Sequence, residues 1–134
     1  MNPEIKKMWA DALRSGKYVQ GTRYLKYETP KGFCHCALGV LCDLAVKAGV
    51  AEWFDAADAD EHPALGSLVH VSHCDIGETA LPRSVAEWAG LAGISCYDPN
   101  LWGPERLCKL LISEWNDVRG LSFNQIADMI EEQL

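Results

Sequence analysis

A chain of 134 residues, 49% of them apolar, is long enough to bury one sizeable core, so a single compact domain over residues 1–134 is expected. Nineteen acidic against twelve basic residues give a formal charge of -7, which argues against sequence-independent contact with nucleic-acid phosphates. No stretch approaches the roughly 18 apolar residues of a membrane span, and six cysteines with no apolar signal segment ahead of them point to a reduced, cytoplasmic setting rather than a disulfide framework.

In chain order, Asn2 is placed to cap a helix with Pro3 in its first position and Glu4 near its positive end. Ile5, Met8, Trp9, Ala12 and Leu13 fall on one face of it, and Gly16 ends it. The texture of residues 17–26, with Tyr18, Val19, Tyr24 and Leu25 around Gln20-Gly21-Thr22, predicts two short strands or an irregular hairpin. A turn at Thr29-Pro30-Lys31-Gly32 leads into Phe33 and a central helix. Leu38, Leu41, Leu44, Ala45 and Ala48 recur there at helical spacing until Gly49 stops it.

Residues from about 55 to 66 carry several acids and little to bury, which predicts an exposed acidic loop. A strand over Ser67–Val71, a short helix at Leu81–Gly90 begun by Pro82, and a strand at Ile94–Tyr97 follow. A helix opened by Gly103-Pro104-Glu105 should run to about Trp115. The last helix has the clearest local code: Ser122 and Gln125 form a capping box, and Leu121 with Ile126 a hydrophobic staple. The sum is an α+β domain, four to five helices around a small antiparallel sheet.

Three chemistries can be built from these residues. Cys36, expected in the first turn of the central helix, sits where backbone N–H groups and the helix dipole lower a thiol's pKa. With His70 or His73 as base and Asn116 or Asp117 as orienting group it gives the order of a cysteine hydrolase. The competing reading is a thiol that only fills space. Cys34, His35, Cys36, His70, His73 and Cys74 are zinc-type ligands in two clusters, but C-x-C and H-x-x-H-C lack the usual knuckle spacing, and a core of this size needs no metal to fold. No metal and no cofactor is therefore assigned. The third chemistry is recognition: Arg14, Gln20 and Arg23 near the first turns, with Trp115, Asn116 and Asp117 near the last, could fork onto a carboxylate or phosphate and stack on a base. Their structural alternatives are a dipole-complementing arginine, a core tryptophan and a chain-turning Asn-Asp pair.

Phe33-Cys34-His35-Cys36-Ala37-Leu38-Gly39-Val40-Leu41-Cys42-Asp43-Leu44, together with Trp115-Asn116-Asp117 followed by Ser122-Phe123 and Ile126-Ala127-Asp128, resembles a group of small uncharacterised proteins of bacteriophages, prophages and actinobacteria. The opening, with Leu13-Arg14-Ser15-Gly16 and Gln20-Gly21, looks like the phage members, whereas residues 55–80 match none of the pattern. His35 splits a cysteine pair that is adjacent in that group, and Ala37 stands where its phage members more often carry the second Cys. The resemblance implies one shared fold and a small accessory protein of the host cytosol. Such a protein acts by binding a host protein or a small anionic, nucleotide-like ligand, counter-defence included.

Overall fold

Asn2 does what its position predicts: its Oδ1 accepts the backbone N–H groups of Glu4 and Ile5 at 2.9 and 3.5 Å and starts helix α1, Pro3–Arg14. The computed structural model describes residues 1–55, 69–71, 81–91 and 112–134. Helix α1 buries Ile5, Trp9, Ala10 and Leu13, while Met8, expected on that face, is 41% exposed. The buried stripe is rotated toward Ala10 because α1 packs mainly on the last helix and on the central one.

After α1 the chain forms β1 (Val19–Gln20), β2 (Lys26–Thr29) and β3 (Gly32–His35), paired in the order β1-β3-β2. β2 and β3 are antiparallel across the predicted turn, with Lys26 opposite His35 and Tyr27 opposite Cys34. β1 joins β3 in parallel, so the sheet is mixed rather than wholly antiparallel. Phe33, Cys34 and His35, read above as the entrance of the central helix, are strand. Helix α2 is Ala37–Lys47, with Cys36 as its N-cap. Phe33 accordingly stays 46% exposed and outside the core.

A second, two-stranded sheet pairs β4 (Trp53–Asp55) with β5 (Val69–Val71) in antiparallel register, and β5 lies against β2. Residues 56–66 of the predicted acidic loop, the predicted strand at 94–97 and the start of the helix predicted from 103 fall outside the described residues. Helix α3 (Arg83–Trp88) begins after Pro82 and packs on α2, and the Asn2 N–H donates to Ala89 O at 2.9 Å, docking the start of α1 onto the end of α3. Residues Ile112 and Ser113 lead into a π-helical segment, Glu114–Val118, and the capping box then opens α4 (Phe123–Gln133) as predicted.

The described residues thus form an α+β fold with four α-helices, one π segment and two small sheets. The core runs from Trp9 and Leu13 of α1 through Leu38, Val40 and Leu41 of α2 to Ile126 and Ile130 of α4. Two contacts hold α2 in its middle. The indole N–H of Trp9 donates to Ala37 O at 2.9 Å in the buried interior. Gly39 lets the helix close on the chain just before β2, since a Cβ there would stand 1.6 Å from Leu25 O. Replacement of Gly39 by Ala is expected to cost at least about 3 kcal/mol, because backbone rather than a side chain must move. Gly16→Ala, with φ +72° but open space around it, should cost only about 1 kcal/mol; urea unfolding of the two variants measures the difference.

Candidate functional site

The loop between β1 and β2 is clasped to the π segment through three of the residues proposed as ligand contacts. Gln20 Nε2 donates to Asn116 Oδ1 at 3.1 Å and to Leu121 O at 2.7 Å, and its Oε1 accepts Phe123 N–H at 3.0 Å. Asn116 Nδ2 donates to Gly21 O at 2.9 Å and to Asp117 Oδ1 at 2.6 Å. Asp117 Oδ1 also accepts the backbone N–H of Arg23 at 3.0 Å. An amide side chain has two N–H donors, and Gln20 and Asn116 spend both of theirs on the protein itself.

The π segment explains why such a clasp is possible. Arg119 N–H donates to Glu114 O at 2.8 Å, a bond one residue longer than an α-helix makes, and Trp115 and Asn116 are buried side by side in sequence. Trp115 thereby enters the core at 3% exposure, which corrects its reading as a stacking platform. Arg14 is likewise occupied elsewhere. Its Nη2 meets Asp128 Oδ1 at 2.5 Å and Glu131 Oε2 at 2.7 Å, so it ties α1 to α4 instead of joining Gln20 and Arg23. Glu131 and Asp128 hold that guanidinium's pKa above its ordinary value.

Arg23 is different. Its backbone is left-handed at φ +70°, a conformation costing a non-glycine residue roughly 1 kcal/mol or more and held here by the bond to Asp117. Among the described residues its exposed side chain has no hydrogen-bond or ion-pair partner. It lines a recess of about 10 Å³ with Cys36, Leu38, Ile112, Asn116 and Asp117, at the positive end of α2. That volume holds about one water molecule.

Cys36 occupies the N-cap, yet its thiol is not activated. Burial pushes its pKa up to about 11, outweighing the stabilising N–H groups of Gly39 and Leu38, and Asp117 adds to the rise. At neutral pH the thiol is therefore held in its protonated form. Asn116, cast as the orienting group of a triad, already has its Oδ1, the atom that would accept an imidazole N–H, bonded to Gln20 Nε2 at 3.1 Å. His70 is in β5 opposite Phe54, with its side chain outside the described residues, as are His73 and Cys74 altogether. No group of three or more His, Cys, Asp or Glu side chains converges as for a metal ion among the described residues. Cys34, Cys36 and Cys42 are buried and in no disulfide.

A second cluster escapes the sequence reading, which gave Tyr18, Asp43, Lys47 and Trp53 no role. Asp43 Oδ2 accepts Tyr18 O–H at 2.6 Å and pairs with Lys47 Nζ at 2.9 Å, while its Oδ1 accepts the Trp53 indole N–H at 3.1 Å. Burial alone would raise this carboxyl, but the donors of Tyr18, Lys47 and Trp53 prevail and hold it at about 2. His35 packs edge-on against Tyr18 and Trp53, at 5.2 and 6.2 Å between ring centroids. One signal was available: a lone carboxylate inside Leu41-Cys42-Asp43-Leu44 must find partners, because an unpaired buried charge is too costly to keep.

Residues 1–134 match the family described as a domain of unknown function, DUF8296. The chain belongs to this family. No curated protein and no solved structure matches it. Among the described residues of this DUF8296 chain, no helix is long and apolar enough to cross a membrane.

Two outcomes follow from the clasp and the buried thiol. Asn116→Ala should destabilise the protein by about 2–4 kcal/mol, since it strips partners from Gly21 O and Gln20 in the interior; chemical denaturation reads this directly. Iodoacetamide should modify Cys36 of the native protein far more slowly than a free thiol at pH 7.5, with normal reactivity returning in denaturant, as followed by peptide mass spectrometry.

Proposed function

We propose that this DUF8296 chain acts by binding, and that it recognises an anionic group carried on the surface of a host protein, with Arg23 as the contact. The observation that carries this reading is the Arg23 side chain: it has no partner among the described residues, and its strained backbone is anchored by Asp117 next to the positive end of α2. A guanidinium fixed at its base loses less freedom on meeting a carboxylate or phosphate than one on a mobile loop.

Size favours a protein partner over an enclosed small molecule. A recess of about 10 Å³ takes about one water, whereas drug-sized ligands occupy pockets of about 300 Å³ or more. The likeness of residues 33–44 and 115–128 to phage and prophage proteins supports an accessory role in a bacterial host's cytosol, counter-defence among the uses such a contact could serve. The buried, protonated Cys36 weighs against the hydrolase alternative, as does an Asn116 whose Oδ1 already accepts from Gln20.

Arg23→Gly separates the backbone from the charge. Glycine accepts φ +70° without cost, so this variant should be as stable as the parent or slightly more so. It should lose tenfold or more in affinity, as deletion of one charge-assisted pair implies. Capture from a bacterial lysate at low and high salt, with parent and Arg23→Gly as baits, tests the proposal. A partner held by the parent, released by salt and absent from the variant supports it, and identical captured sets overturn it.

A further inference from the structure

His35 is 7% exposed, and neither of its ring nitrogens has a hydrogen-bond partner. A buried polar group left unpaired costs about 1–3 kcal/mol, so the imidazole is held in an unfavourable state by what surrounds it. Among the described residues, Tyr18 faces it from the segment before β1, Lys26 from β2, Asp43 and Lys47 from α2, and Trp53 from β4. The Lys26 ammonium lies over the rings of Phe33 and Trp53, 4.6 and 4.9 Å from their centroids. Two cations and one carboxylate therefore surround a neutral ring.

A proton arriving on His35 turns the imidazole into a cation with two N–H groups in need of acceptors. The carboxylate that could serve is Asp43, and its oxygens are taken by Tyr18, Lys47 and the Trp53 indole. Tyr18 and Trp53 are the two rings that wall His35 in. Asp43 can turn to an imidazolium only by letting go of one or both of them, and Lys26 and Lys47 repel the new charge meanwhile.

We propose that Tyr18, His35, Asp43 and Trp53 form an acid-operated latch, in which proton uptake by His35 releases Trp53, and with it β4, from α2 and the three-stranded sheet. Burial, aided by Lys26 and Lys47 and opposed by Asp43, lowers the His35 pKa from 6.5 to about 4. The unfolded chain therefore binds the proton more readily than the native one. The latched state is fully stable above about pH 6.5, weakens as the pH falls toward 4, and loses no more below that. Asp43, with its pKa near 2, acts in a lower and separate window.

Proton NMR of the full chain from pH 7.5 to 3 tests the latch by following the His35 ring protons and the indole N–H signals of Trp53 and Trp9. The expected result is a shared midpoint near pH 4 for His35 and Trp53, with the Trp9 signal, bonded to Ala37 O in the core, unmoved. His35 titrating between pH 6 and 7, a still Trp53, or Trp9 moving together with Trp53 in one global transition would each overturn it. In His35→Phe, which cannot take the proton, the Trp53 transition should vanish and the change in the unfolding constant between pH 7 and 4 should shrink by about two orders of magnitude. If that variant keeps the Trp53 transition the latch is wrong, and if it does not fold the titration of the parent decides.

Discussion

The approach of α2 to the backbone at Leu25 is the constraint on which the other elements depend. Only a residue without a Cβ can stand at position 39, so helix and chain meet at backbone distance there. That contact sets where β2 begins and so where the β1–β2 loop passes. The loop's position in turn brings Gln20 and Gly21 onto Asn116. A side chain's worth of extra separation would open the gap between loop and π segment that the clasp now closes.

Burial, more than motif position, decides the chemistry of the groups that looked most reactive. Cys36 occupies a helix N-terminus, where thiols are commonly activated, yet loss of water costs its thiolate more than the helix returns. Asp43, only part-buried, shows the opposite balance. Three donors converge on it and keep it ionised despite its surroundings. The contrast lies in the partners: an N-cap offers fixed backbone dipoles to a thiol, whereas a tyrosine, a lysine and an indole can all be aimed at one carboxylate.

The polar residues near the helix ends divide by the same logic. Gln20, Asn116 and Asp117 hold the protein together, and Arg14 bridges two helices at the surface, where exposed pairs contribute about 1 kcal/mol or less. Arg23 shares the clasp through its backbone alone. Among the described residues its side chain has no hydrogen-bond or ion-pair partner, so within this one residue the backbone is engaged and the charge is not.

The caps and the short-range code were decided by the sequence alone. Asn2 and Ser122 start their helices, Pro82 precedes α3, and the Thr29–Gly32 turn joins two antiparallel strands, because each depends on atoms within about four residues of one another. Tertiary structure decided whatever depends on distant partners. Phe33-Cys34-His35 is strand rather than helix because β1 and β2 supply its hydrogen bonds. Met8 is exposed and Trp115 buried because α4 and the π segment set which faces are covered. The fates of Cys36, His35 and Asn116 rest on water lost and partners gained across tens of residues, and residue type and spacing carry no measure of either.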